Sequence, residues 1–487
     1  MRKTGRLFPS SFFLSFEKNG LVALVHRLKP EPVYLLKQKW DSIVSCMNLE
    51  SPTNQDIISD LVIRNLFITD LKTDQQMLEL IRKQSLEILN RPTILYLMMA
   101  QDCNFACKYC PIPDLAIRYG KHLLSFEDAI RGIMLWEKHI NEQAQDQDNY
   151  FLIFYGGEPL LNREVLEQLL PYIVQEQKKK KLPKNLELML CTNGSLIDER
   201  LSKLLAYYKV TVAIGIDGTK EYNDSTRIIK NSNSSFNKIN SAIRLLVNSG
   251  VRVVASVIIT PANVNYLADY PVFLKKLGIH KFGFNLMKGK ALIRDINSSN
   301  LENYCQKAAK VVLKGLENIS KDGRYFEYQL EKKITSLKNG MPFSVDCTCY
   351  GNQLVIQADG QVTNCPFLRF DQGHIQELPK TFRIGQTEIV NAWRYRLPLF
   401  NDSIMVDNSN SLLNGGGCAW SSLDVYGDVT IQDSISATFT REIMHELIWT
   451  LLPKGQADAI IKGKTSHWSY RRFWTLPFAG TVEFENY

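Results

Sequence analysis

The chain has 487 residues, 45% of them hydrophobic, and a formal net charge of +8 at pH 7. That length exceeds one ordinary core and predicts about two to four folded domains. No apolar run reaches the ~18 residues of a spanning helix, and the basic charge is scattered, so neither a membrane nor a nucleic-acid partner is expected. The densest basic run, Lys178 to Lys181, reads as a solvated helix end. The opening Met1-Arg-Lys and the broken apolar stretch Leu7 to Leu14 lack a cleavage site, which points to a cytoplasmic protein.

Residues 1–85 read as a small domain. Leu21 to Leu28 and Pro32 to Leu36 predict a strand pair, Lys37 to Met47 and Gln55 to Leu66 predict helices, and Leu66 to Ile68 a short strand. Next comes Ile94-Leu-Tyr-Leu-Met-Met-Ala100, a compact apolar run that predicts a buried parallel strand. It delivers Cys103-Asn-Phe-Ala-Cys107-Lys-Tyr-Cys110 at its carboxyl end, where α/β folds place chemistry. Three thiols at spacings of three and two residues cannot share one face of a helix or strand, so they come from a loop around one centre. An iron–sulfur cluster is the favoured reading and zinc the competing one, since thiolate-rich loops serve both. Three ligands on a four-iron cluster leave one iron open.

From about 90 to 300, strand and helix alternate. Helices are expected over Ser125 to Ile140, Glu164 to Gln177, Asp198 to Tyr207, Phe236 to Ser249 and Tyr266 to Leu277. Strands are expected at Phe151 to Tyr155, Glu187 to Cys191, Val210 to Ile216, Val251 to Thr260 and Lys281 to Leu286. Repeated strand–helix units imply a parallel sheet with right-handed crossovers. Gly156-Gly157-Glu158-Pro159 follows the second strand, Thr192-Asn193-Gly194 the third and Gly215-Ile-Asp217-Gly218 the fourth. Glycines there let backbone approach a ligand closely, and Glu158 offers acceptors to an ammonium group. Cys191, Cys46 and Cys305 read as packing cysteines.

The CxxxCxxC loop followed by Gly156-Gly157-Glu158-Pro159 resembles the radical S-adenosylmethionine (SAM) superfamily. The resemblance implies a partial (β/α)6 barrel and a [4Fe-4S] cluster on Cys103, Cys107 and Cys110, whose open iron is chelated by SAM. It also implies that Tyr109 packs on the adenine and that the 156–159 turn holds the SAM amino group. Asn193, Asp217 and Arg227 would help position SAM, although Gly215 stands where many relatives carry a hydroxyl residue. Residues 1–85 resemble the winged-helix domain that binds a leader peptide by strand addition in many peptide-modifying relatives.

Beyond a helical linker (301–340), Cys347-Thr-Cys349 precedes Gln353 to Ala358, an Asp359-Gly360 turn, Gln361 to Thr363 and Cys365. With Cys418 behind Gly415-Gly-Gly, this resembles the SPASM and twitch domains and implies one auxiliary [4Fe-4S] cluster over 341–434, zinc being the alternative. Residues 366–417 contain no cysteine, so a second auxiliary cluster is not expected. Pro366 stands where anaerobic sulfatase-maturating enzymes carry an Asp base. Residues 435–487 are expected to cap the cluster domain, with a helix over Arg441 to Leu452 and an aromatic, basic segment from Trp468 to Trp474.

The expected architecture is therefore α/β, a partial barrel with an N-terminal winged-helix-like α+β domain and a C-terminal twitch/SPASM-like domain. The expected function is cleavage of SAM to a 5′-deoxyadenosyl radical that abstracts hydrogen from a ribosomal peptide or protein side chain. A precursor peptide and an external one-electron reductant, flavodoxin or ferredoxin, are the expected partners. A dehydrogenase of small alcohols or sugars, and a non-catalytic iron–sulfur regulator, are the alternatives.

Overall fold

The computed structural model describes residues 7–46, 55–143, 149–230, 234–319, 326–343, 345–407 and 414–469. The chain opens with β1 (Phe8–Pro9) and a meander of β2 (Phe13–Lys18), β3 (Leu21–His26) and β4 (Lys29–Leu36), while β5 (Phe67–Ile68) returns to pair with β1. The broken apolar stretch Leu7 to Leu14 leads into β2, which was not expected as a strand. Its signal is Asn19-Gly20, where both residues adopt positive φ (53° and 76°), the turn that matches strand twist in a two-residue hairpin.

β3 is buried at every position because the sheet is covered on both faces. Val22, Leu24, Val33 and Leu35 pack on Trp40, Ile43, Ile57 and Leu61 of helices Lys37–Cys46 and Gln55–Ile63. Leu21, Ala23, Val25 and Tyr34 join the core of the main body instead. The boundary expected at residue 85 falls inside helix Lys72–Leu89.

The main sheet has the order β12-β11-β10-β9-β8-β7-β6-β13-β14. Its centre is parallel: β6 (Ile94–Ala100), β7 (Tyr150–Gly156), β8 (Leu186–Thr192), β9 (Thr211–Gly215), β10 (Val253–Ile259) and β11 (Lys281–Leu286). These are the six strands expected from the sequence. Helices Phe126–Gln143, Arg163–Lys178, Glu199–Tyr207, Ser235–Asn248 and Tyr270–Lys276 connect them, the last starting four residues later than expected because 261–269 are turns. Trp136 is fully buried among them and donates to the Pro92 carbonyl.

Three further strands join this sheet. The expected linker is broken: helix Leu301–Ile319 is followed by β12 (Phe326–Glu327), parallel to β11, and then by helix Tyr328–Asn339. β13 (Gln353–Ile356) lies parallel to β6, and β14 (Val362–Thr363) closes the expected hairpin. The C-terminal segment touches the cysteine domain where Ser436 lies against Gly417, but most of it packs elsewhere. Helix Ser434–Thr450 packs on helix Leu301–Ile319, and β15 (His467–Ser469) pairs antiparallel with β4. Of the segment Trp468 to Trp474, residues 470–474 lie outside the described residues, as does Met47. Among the described residues no helix is long and apolar enough to cross a membrane.

The shared core predicts shared melting. Val25→Asp buries an unpaired carboxylate where β3 faces the main body, at a cost of several kcal/mol. One cooperative transition, displaced downward, is expected in calorimetry. A low-temperature step of small amplitude ahead of an unchanged main transition would mean that the N-terminal sheet melts independently.

Candidate active site

The cysteine loop leaves the carboxyl end of β6 and is stapled to residues 226–230. Ala106 N–H donates to the Ile228 carbonyl (2.7 Å), Lys108 N–H to Thr226 (3.0 Å) and Lys230 N–H to Asn104 (3.1 Å). The Lys230 ammonium donates to the Cys103 carbonyl at 2.7 Å. Asn193, from the end of β8, points its amide at Asn104 Oδ1 (2.8 Å) and lies 3.8 Å from the Cys103 Sγ.

Gly156 and Gly157 let β7 close beneath this loop. A Cβ at Gly157 would stand 2.2 Å from the Asp102 carbonyl, and one at Gly156, whose φ is 139°, 2.4 Å from that of Ala100. Glu158 is fully buried and already engaged. It accepts from Leu160 N–H (3.0 Å), the Thr192 hydroxyl (2.6 Å) and Asn193 N–H (2.9 Å), tying the end of β7 to that of β8. Burial pushes its carboxyl up to about 7, against those three donors. Pro159 is buried at the start of the short helix Glu158 caps.

Asp217 is the hub. Fully buried, it accepts from the Tyr109 hydroxyl (2.6 Å), the Thr226 hydroxyl (3.0 Å), Ile258 N–H (2.9 Å) and Arg227 Nη2 (3.1 Å), and forms an ion pair with the same guanidinium, whose Nε lies 2.9 Å away. The guanidinium also lies 5.6 Å from the Tyr109 ring centre. Burial works against its charge, but Asp217 outweighs that and raises its pKa. Gly215 is explained here: a Cβ would sit 2.2 Å from Arg227 Nη1, so the guanidinium occupies the place of a side chain.

The three loop thiols are half-buried and free. Burial pushes Cys103 up to about 11, Cys107 to about 12 and Cys110 to about 11, and each is raised further by another of the three. Thiols that resist ionising together suit a metal cluster, which supplies the missing positive charge. The donor set and the glycine cradle therefore fit the implied cluster and SAM. Among the described residues no three Cys, His, Asp or Glu side chains are drawn together as a ready ligand set for one metal ion.

Cys347, Cys349, Cys365 and Cys418 share a second neighbourhood. The Cys349 thiol donates to Cys347, holding Cys347 down and pushing Cys349 up, while burial raises Cys365 and Cys418, both of which also feel Cys347. Since Gln353 lies beside Ile94, Cys349 sits at the amino end of β6 and Cys103 at the carboxyl end. Lys288 lies beside the second group. Burial opposes its charge, but Cys418, Asp433, Asp346 and Cys347 outweigh it.

Between the two groups lie residues that sequence reasoning did not single out. Tyr96 and Tyr155 meet edge to face at 5.7 Å, and Tyr155 meets Phe367 at 6.1 Å. Electrostatically, Tyr155 senses both Cys110 and Cys365. Opposite them, Asn285 Nδ2 donates to Ser256 Oγ (2.9 Å) and Tyr328 Oη (3.3 Å), and Asn285 Oδ1 accepts from Gln329 (2.7 Å). Alternation on β7, β10 and β11 was the available signal, but it does not say which face lines a chamber. Cys191, expected in the core, is half-buried and neighbours Tyr96, Tyr155 and Tyr328. Cys305 is buried against the Ile435 carbonyl, as expected of a packing residue. Cys46 ends helix Lys37–Cys46.

Residues 97–269 match the model of the radical SAM superfamily. The chain is 25% identical over 316 residues, 61% of its length and 78% of the relative's, to a cysteine-type anaerobic sulfatase-maturating enzyme of Clostridium novyi (strain NT). It is 23% identical over 370 residues, 72% of its length and 73% of the relative's, to the radical SAM cyclopropyl synthase TigE of Paramaledivibacter caminithermalis (strain DSM 15212 / CIP 107654 / DViRD3). Its fold is like that of the solved structure of native anSMEcpe with bound AdoMet, with a TM-score of 0.59, 20% identity, and 73% of this chain and 98% of that one covered.

Glu158 gives a pH prediction. Its folded pKa of about 7 lies above the unfolded 4.5, so the native state binds more protons between these values and this group's contribution to stability falls as pH rises across the window. The full shift corresponds to about 3 kcal/mol. Glu158→Gln should therefore lower stability overall by removing an acceptor, yet flatten the decline of the melting temperature between roughly pH 4.5 and 7. An unchanged slope would show that Glu158 ionises normally.

Proposed function

We propose that this chain, which carries a radical SAM domain over residues 97–269, is an enzyme of the sulfatase-maturase and peptide-modifying group that abstracts hydrogen from a peptide or protein side chain. The observation that carries the reading is that Cys103 follows the carboxyl end of β6 while Cys349 lies by its amino end, with half-buried aromatic and polar side chains between the two cysteine groups. When bound, the cluster on Cys103, Cys107 and Cys110 together with SAM supplies the hydrogen-abstracting chemistry.

The chain's own residues do the rest. Asp217 and Arg227 fix Tyr109 and the loop backbone, so the loop is held in place before any ligand arrives. Glu158 is a positioning residue: it fixes the ends of β7 and β8, and Asn193 carries that order to Cys103. Tyr96, Tyr155, Phe367, Asn285 and Tyr328 form the walls against which a side chain would be oriented and water excluded.

In this reading Cys347, Cys349, Cys365 and Cys418 hold an auxiliary [4Fe-4S] cluster, Lys288 offsets part of its negative charge, and an external flavodoxin or ferredoxin delivers electrons. The likeness to peptide-modifying relatives and the half-buried aromatic and polar side chains between the cysteine groups support a peptide side chain as substrate. Pro366, in the position of the maturase base, argues against sulfatase maturation as the particular reaction. The N-terminal sheet is proposed to hold the peptide's leader by strand addition.

Anaerobic reconstitution should give about eight irons per chain, and Cys103→Ala, Cys107→Ala and Cys110→Ala together should remove about half. The reduced parent protein should release 5′-deoxyadenosine from SAM, and the triple variant should release none. Four irons or fewer in the parent, or zinc on the second group, would remove the auxiliary cluster from the reading. Absence of 5′-deoxyadenosine with the first cluster intact would favour a regulatory protein.

A further inference from the structure

β4 is marked as an edge strand by its own sequence. Pro30 and Pro32 carry no N–H, so the strand's first half cannot form a regular ladder on both sides, and proline within sheets is confined to such edges. Only Val33 to Leu36 remain free of proline, and they lie within a strand buried on both faces. That short stretch is where β15 sits, with His467 opposite Leu35, Trp468 opposite Tyr34 and Ser469 opposite Val33.

The side chains of β15 are read as closely as its backbone. Trp468 lies 5.8 Å from the Tyr34 ring, which in turn meets Trp449 at 5.9 Å and donates its hydroxyl to the Ile448 carbonyl. Flanking residues are held by one helix end: Arg64 Nη2 donates to Ser469 Oγ at 2.8 Å, and His467 Nε2 lies 3.4 Å from Asp60 Oδ2. Arg64 is fixed by Asp60 at 2.9 Å and Glu31 at 2.7 Å. The edge thus has an aromatic seat at its centre and a polar clamp on either side.

These features match the recognition of an extended peptide: main-chain pairing along an edge, with specificity from alternate side chains. Here the occupant is the chain's own C-terminal strand. We propose that His467–Ser469 is an internal stand-in for an extended peptide, an aromatic residue flanked by a hydrogen-bonding residue on each side, and that it must leave β4 before such a peptide adds there. The proposal deepens the reading in which the N-terminal sheet receives a peptide, and rests on it for biological meaning.

The strand is short and half-buried, three residues against the outer edge of a sheet whose other strands pair without it. Its release therefore costs little of the fold, as expected of a displaceable segment. β2, the opposite edge, has no strand seated on it among the described residues, and its side chains are already engaged. Phe13 stacks on Trp40 at 5.5 Å, Phe16 meets His445 at 4.9 Å, and Lys18 pairs with Glu446 at 3.3 Å.

The test uses the full chain and a dye-labelled synthetic peptide with the sequence of residues 464–471. In the parent protein the internal strand should outcompete it, whereas Trp468→Ala should bind it at least tenfold more tightly. The same peptide with its Trp replaced by Ala should bind neither protein. Hydrogen exchange supplies a second readout: the amide of Tyr34, which faces β15 opposite Trp468, should exchange at least tenfold faster in Trp468→Ala, while those of Val33 and Leu35, which face β3, and of Leu21 to His26 stay protected, which shows that the sheet is intact. Equal peptide binding by parent and variant, or unchanged exchange at Tyr34, would overturn the proposal. Neither readout uses SAM, iron or a substrate, so failure here leaves the enzymatic reading standing, and failure of SAM cleavage leaves this one untouched.

Discussion

A single buried carboxylate, Asp217, sets the geometry on which the rest of the site depends. It stands at the end of β9, accepts the Tyr109 hydroxyl from the cysteine loop, pairs with Arg227 and takes the Ile258 amide from β10. An unpaired charge at zero exposure would be prohibitive, and breaking such a pair typically costs ~3–5 kcal/mol. The pair survives because every acceptor direction is used. The same bonds turn an eight-residue loop with three free thiols into a fixed arc, since residues 226–230, which staple the loop, start at Thr226 and Arg227.

Around that arc the sheet separates two thiol groups by the length of one strand. β13 adds to β6 in parallel, so the hairpin that carries Cys349 and Cys365 is locked in register with the strand that carries Cys103. Half-buried side chains lie between them, an aromatic set of Tyr96, Tyr155 and Phe367 and an amide-and-hydroxyl set of Asn285, Ser256 and Tyr328.

The N-terminal sheet and the C-terminal strand β15 meet at β4. The N-terminal meander has one face in the main core and takes its last strand from the C-terminal segment, so a site for an added strand and the body that performs chemistry share packing residues. Tyr34 is the junction, touching β15, the helix behind it and the core at once. Any event at the β4 edge is thereby in contact with the main body, without a flexible tether between them.

The sequence by itself determined the six central strands, because apolar runs bounded by polar turns leave little choice for a buried parallel sheet. It also determined the cysteine loop, the glycine turns and the hairpin, because short-range spacing and backbone demands are local. It was less informative wherever a segment's partner is distant: β2 was not expected as a strand, β12 fell within an expected helical linker, and the pairing of β15 with β4 was not expected. Only tertiary structure decided that Glu158 ties two strand ends together, that Gly215 makes room for Arg227, that Tyr96 and Tyr155 lie between the thiol groups, and that β15 completes the N-terminal sheet. The reason is physical: alternation along a strand specifies that a side chain faces one side or the other, while what waits there is set by chain that folds back from hundreds of residues away.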